Sequence, residues 1–145
     1  LAALQAALDA GGRAVAVLDA GIDHPEPGLP AELERRLAGR GAVVSPCWPD
    51  APPDPASGLH AATLSGLALG LVVLDGGEGS AAQRQARRCL DQARRLFLPR
   101  PLVLRESWAK HYADHPGATV ADAAGDILEV VTAMMQLRAE LSAMT

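Results

Sequence analysis

Leu71-Val72-Val73-Leu74-Asp75-Gly76-Gly77-Glu78-Gly79-Ser80 is the stretch that decides the fold. Its apolar first half shows no alternation, which fits a strand covered on both faces, as in a parallel sheet. A glycine loop follows. Ser80, with Gln83 three residues on, fits a capping box that opens a long helix to about Arg95. Strand, tight loop and helix in that order form the repeating unit of an α/β protein.

The same alternation extends in both directions. Upstream, Leu1, Leu4 and Leu8 share a helical face that Gly11-Gly12 ends, and Ala14–Leu18 is a wholly apolar strand. Asp19–Pro30 is a loop, Ala31–Arg40 a helix with Leu33 and Leu37 on one face, and Ala42–Ser45 a second strand. Pro46–Gly58 is too rich in proline for regular structure, and His60–Leu69 reads as a helix. Downstream, Leu96-Phe97-Leu98 is a strand closed by Pro99 and Pro101, and Ser107–His115 a short helix. Ala118–Val120 is a last strand, and Asp122 caps a long C-terminal helix to about Met144, within residues 121–145. The expected fold class is α/β: one three-layer Rossmann-like domain over residues 1–145, with a mostly parallel sheet and helices on both faces. Ala14–Leu18, Ala42–Val44, Leu71–Leu74 and Leu96–Leu98 should be neighbouring parallel strands. Ligands in such sheets sit at the carboxyl ends of the strands. That rule selects Asp19–Gly28, Pro46–Gly58, Asp75–Ser80 and Pro99–Arg105.

Composition narrows the function. Of 145 residues 49% are hydrophobic, enough for a core, but only 3% are aromatic, so few rings are available to stack bases. A net charge of −4 argues against a protein that coats nucleic acid, although it permits a local basic groove. No apolar run approaches the roughly 18–20 residues of a membrane span, so no membrane partner is expected. Cys47 and Cys89 form neither a CxxC motif nor a disulfide framework, which points to the cytoplasm. The chain opens on Leu1 in what reads as the tail of a helix, so it is expected to begin inside something larger.

The glycine loop carries the strongest chemical signal. Gly76, Gly77 and Gly79 let the backbone approach a ligand, and a helix start at Ser80 adds unpaired N–H groups and a positive dipole end. Together they favour a phosphate. The plain alternative is a tight turn that binds nothing. His60, Arg84, Arg100 and Arg105 are the further contacts expected near this edge. Arg84, Arg88 and Arg95 would form one helical row with Asp91, which reads better as a solvated face than as a phosphate-tracking stripe. His111 and His115 stand four apart, but no third ligand is in reach and Pro116 interrupts, so no metal site is expected. His24 reads as a surface loop histidine. Trp48 and Trp108 could stack bases, and each reads better as a partly buried anchor for the proline-rich loop. Val130, Met134, Leu137 and Leu141 form an apolar stripe on the last helix, part of which could meet a partner or a second copy.

These segments also resemble a known family. Gly11-Gly12-Arg13-Ala14-Val15-Ala16-Val17-Leu18 with Gly21-Ile22-Asp23 and Pro27, and Gly41-Ala42-Val43-Val44-Ser45 with its prolines, are similar to the middle of DNA-processing protein A (DprA, or Smf). Ser65-Gly66-Leu67, the run Leu71–Asp75, Gly77-Glu78 and Ser80 continue the likeness. So do Ala86-Arg87, Leu96-Phe97-Leu98-Pro99, Gly117-Ala118-Thr119, Asp122-Ala123 and Asp126-Ile127-Leu128. It covers nearly all of residues 8–131, in order. The glycine loop also resembles the GGxGT loop of lonely-guy phosphoribohydrolases, which belong to the same Rossmann-like superfamily. The first resemblance implies single-stranded DNA binding, transfer of that DNA to a RecA-type recombinase during DNA uptake, and no enzymatic activity. No cofactor or catalytic residue is expected, and the apolar stripe on the last helix makes a homodimer the expected assembly.

Departures from the pattern weaken the implied contacts. The family's first strand, with its Gly-Ser-Arg phosphate motif, would lie upstream of Leu1. Where members carry Arg-Asn-Arg before the buried strand, this chain has His60-Ala61-Ala62. Asp54 and about Ser57 stand where members place a basic residue and a Phe. Gln83 occupies the position of the lonely-guy glutamate, and an amide cannot act as a general base. The expectation is a diverged member that binds single-stranded DNA weakly. A nucleotide-binding or phosphoribohydrolase-like module, and a degenerate scaffold that dimerises or holds a partner, are the alternatives.

Overall fold

The computed structural model describes residues 1–24, 29–55 and 58–144. The expectations for Pro25, Pro27, Gly28, Ser57 and Thr145 therefore fall outside the described residues. The chain divides into two compact units, Leu1–Leu64 and Ser65–Thr145. It is a mixed α/β protein whose parallel sheets are flanked by helices.

The first unit holds α1 (Ala2–Asp9), β1 (Val15–Val17), α2 (Ala31–Arg40) and β2 (Ala42–Val44), and α3 (Leu59–Leu67) begins in it. Gly11 ends α1 at φ 75°, with its N–H on Leu8 O and that of Gly12 on Ala7 O, a turn that glycine adopts without strain. β1 and β2 pair in parallel, Ala16 opposite Val43. Leu8, Ala14, Ala16, Leu33 and Leu37 form the core between helices and sheet. The side chains of β1 alternate: Ala16 is buried, while Val15 is 47% exposed. The expectation that this strand is covered on both faces therefore fails at Val15.

The second unit holds β3 (Gly70–Val72), α4 (Ala81–Asp91), β4 (Arg95–Pro99), α5 (Arg100–Arg105), α6 (Ser107–Ala113), β5 (Ala118–Ala121) and α7 (Ala124–Ala143). β4 lies between β3 and β5, parallel to both, and Leu96, Phe97 and Leu98 are all buried. Central position in a parallel sheet explains why that strand is apolar without alternation. Leu96 and Leu98 pack with Ala86, Cys89, Leu102, Trp108 and Ala109.

Several boundaries differ from the sequence reading. The described strands form two ladders, β1-β2 and β3-β4-β5; in the second, Gly70–Val72 pairs with Arg95–Phe97, and the expected strand stops short of Leu74, which is 73% exposed. Pro99 and Pro101 do not lead into a loop: they open α5, where a proline in the first turn lacks only an N–H that would be unpaired anyway. Asp122 does not cap α7. Its carboxylate pairs with Arg100, and Asp126 Oδ2 takes the N–H groups of Asp122 and Ala123 at 2.8 and 3.0 Å.

α4 stops at Asp91 rather than Arg95. Ala93 adopts φ 55°, with its N–H on Leu90 O at 2.9 Å and that of Arg94 on Cys89 O at 2.9 Å. This is the helix-ending turn that glycine usually supplies, and alanine in its place hides the stop from sequence. An L-residue there costs about 1–2 kcal/mol, against about 0.5–1 kcal/mol for the extra freedom of an unfolded glycine. Ala93→Gly should therefore stabilise the protein by about 0.5–1 kcal/mol, read as a raised urea midpoint with unchanged slope.

Candidate functional site

The glycine loop is built by its two flanking elements. Val73 N–H still bonds Phe97 O at 3.1 Å, after which the chain leaves the sheet. Gly76 (φ 152°) and Gly79 (φ 71°) then take conformations that L side chains rarely adopt. At Gly76 space is also lacking: a Cβ would lie 2.5 Å from Ala82 Cβ and 2.9 Å from Ser80 Oγ. Ser80 is the N-cap of α4, its Oγ accepting the Gln83 N–H at 3.2 Å. Gln83 reaches back in return, but to Gly79 N–H at 2.6 Å, because Ser80 N–H is held by Gly77 O. The capping box read from sequence is thus present with its return bond one residue early. From the core, Trp108 Nε1 donates to Gly76 O at 3.0 Å.

The loop offers donors within a ring of carboxylates. The N–H groups of Gly77, Glu78, Ala81 and Ala82 have no partner among the described residues. With the helix dipole they form a site suited to an anion. Around them stand Asp75, Glu78 and Glu106. Asp75 Oδ1 accepts from Gly76 N–H at 2.9 Å and from Arg105, whose Nε also donates to Glu106 at 3.1 Å. Hydrogen bonding to Glu106, then the charge of Asp75, raises the Arg105 pKa above its ordinary value. Glu78 takes bonds from Gln83 Nε2 at 2.8 Å and Ser107 Oγ at 3.4 Å. Arg84 lies at the loop, donating to Gly79 O at 2.7 Å.

The structure brings Gly76, Gly77, Gly79, Ser80, Arg84 and Arg105 together and leaves the other expected residues elsewhere. Arg100 pairs with Asp122 across the ends of β4 and β5, and hydrogen bonding to Arg100 holds the Asp122 carboxyl below its usual range. His60 lines an open groove of the first unit with Val15, Val17 and Leu64. Arg95 is in β4, donating to Pro116 O, so the expected arginine row shortens to Arg84 and Arg88. His115 lies beyond the end of α6, where its Nδ1 accepts Gly117 N–H at 2.9 Å, so it shares no helical face with His111. Trp108 is buried, and it anchors the glycine loop rather than the proline-rich one. Trp48 is 83% exposed and anchors nothing with its ring. Sequence reasoning missed Glu106, Ser107 and the buttressing role of Trp108, because each reaches the loop through tertiary packing.

A family model for DNA recombination-mediator protein A matches residues 1–132. The chain belongs to that family. The X-ray structure of DNA processing protein A (DprA) from Streptococcus pneumoniae has the same fold, with a TM-score of 0.65 and 24% identity, over 88% of this chain and 46% of that one. This chain thus spans less than half the length of that relative. No curated protein gives a significant match. In this member of the mediator family, the loop's shape depends on the missing Cβ of Gly76. Gly76→Ala should cost about 2–3 kcal/mol through strained φ and overlap with Ala82. Urea unfolding measures the loss, and a shifted Trp108 emission should accompany it.

Proposed function

We propose that this chain is a DNA-binding part of a DNA-processing protein: residues 76–80 take a backbone phosphate of single-stranded DNA, which passes to a RecA-type recombinase. The observation that supports this reading most is the set of unpaired N–H groups at the start of α4, in a chain of the recombination-mediator family. Arg84 and Arg105 flank the phosphate, and Arg100 is a more distant contact. No helix among the described residues is long and apolar enough to cross a membrane, and we place the function in the cytoplasm.

Binding is weak on this reading. Arg105 and Arg100 already neutralise carboxylates, and Asp75, Glu78 and Glu106 repel an incoming phosphate. Each phosphate neutralised on a single strand contributes roughly −0.7 to the log–log salt slope. A titration of oligothymidylate at several salt concentrations should give a slope no steeper than about −2. Gly77 provides the clean variant, since an added Cβ finds its nearest neighbour, Glu106 Oε2, at 4.0 Å. Gly77→Val should fold normally and lose at least about tenfold in affinity by blocking backbone approach. Tight binding at physiological salt, or indifference to Gly77→Val, refutes the assignment of the phosphate to this loop.

We further propose that the protein works as a homodimer through α7. In this 20-residue helix no residue is buried; Val130, Met134 and Leu137 line an open, mostly apolar groove, and Leu137 and Leu141 on the same face are more than half exposed. An apolar surface of this kind seldom stays in water. Sedimentation at micromolar concentration should show a dimer that Leu137→Glu converts to monomer. A 15.0 kDa monomer for the unaltered chain contradicts it.

A further inference from the structure

The loops at the carboxyl ends of β1 and β2 present a surface that the proposed DNA contact does not use. The segment after β2 is rich in proline yet firmly tied down. Ser45 Oγ donates to Ala20 O at 2.6 Å, Gly21 N–H bonds Ala51 O at 2.8 Å, and Asp23 N–H bonds Pro49 O at 2.8 Å. A Cβ at Gly21 would come within 2.2 Å of the Trp48 and Pro49 carbonyl oxygens, so the two loops lie backbone against backbone. Trp48 opens a hydrogen-bonded turn, with Ala51 N–H on Trp48 O at 3.0 Å and Pro49 at the second position, where its fixed φ favours the turn. The backbone of Trp48 is therefore fixed while its indole is 83% exposed, and Ile22 on the facing loop is 54% exposed.

Charge selects what could cover this apolar patch. The sequence has no Lys or Arg from Ala14 to Glu34, nor from Gly41 to Gln83. The same two loops carry Asp19, Asp23, Asp50 and Asp54. Among the described residues Asp19, Asp23 and Asp50 enter no ion pair. A phosphate backbone would be repelled here. An exposed indole beside carboxylates is instead the pairing that holds a guanidinium, through cation–π attraction and charge-assisted hydrogen bonds. Ile22 and Pro49 add apolar area that a polypeptide covers and a free cation does not.

We infer that the Trp48–Ile22 patch is a docking surface for an arginine-bearing polypeptide segment of a partner protein. It is independent of the glycine loop, so either assignment can fail without the other. The test uses the full chain and a fluorescein-labelled peptide of alternating Arg and Leu, with oligothymidylate as counter-probe. Trp48 reports directly, because the other tryptophan, Trp108, is 4% exposed. The peptide should quench the exposed emission and bind with an affinity that falls with salt. Trp48→Ala should weaken peptide anisotropy binding about tenfold, and Trp48→Phe less. The double variant Asp23→Asn, Asp50→Asn should weaken it similarly, and keeps the test decisive should Trp48→Ala misfold. Glu140→Gln, on α7, should change nothing. Equal loss in Glu140→Gln would mean diffuse attraction to an acidic protein and would overturn the assignment. Unchanged binding in Trp48→Ala, or quenching of Trp48 by oligothymidylate and not by the peptide, would overturn it as well.

Discussion

The second unit depends on the bond from Trp108 Nε1 to Gly76 O. A buried indole N–H must find an acceptor, or leave a polar group unpaired at a cost of about 1–3 kcal/mol. The acceptor it finds is a carbonyl of the glycine loop. The ring of Trp108 packs with Leu102, Ala109, Cys89 and Ala86, so core and loop share one anchor. The position of the loop thus follows from close packing beneath it. That rigidity suits a site whose donors are backbone N–H groups, which cannot adjust as side chains do.

Electrostatics around the loop run against its shape. The start of α4 favours an anion, while Asp75, Glu78 and Glu106 resist one. The carboxylates hold the loop together through Arg105, Gln83 and Ser107. The groups that stabilise the loop are thus those that the phosphate proposed for it would have to displace or share. A site of this kind can be well formed and still bind feebly.

The sequence was most legible where chemistry is local. The apolar run Leu96–Leu98 reads directly as a strand, and Ser80 with Gln83 reads as a cap. Gly11 gives the end of α1, whereas Ala93 performs the same duty for α4 without the residue that announces it. The helix at Arg100–Arg105 was hidden because proline is both a breaker and a good helix opener, and only position separates the two roles. In the site, the glycines and Ser80 were visible in advance. Glu106 and Trp108 were not, since nothing local ties them to a loop some thirty residues away. The pairing of Arg100 with Asp122 was equally invisible, and it changes an expected phosphate contact into an occupied one.

Cys89 sits in the same core, fully buried, with its Sγ 3.4 Å from Arg95 O. Burial pushes its thiol pKa up, and the thiolate is the reactive form. Oxidants and alkylating agents therefore meet an inert sulfur as long as α4 stays packed on β4. Once that helix lifts, the same sulfur becomes ordinary and reactive. The redox lifetime of this residue is set by mechanics, and the cell's thiol chemistry can act on the second unit only at the rate at which it breathes.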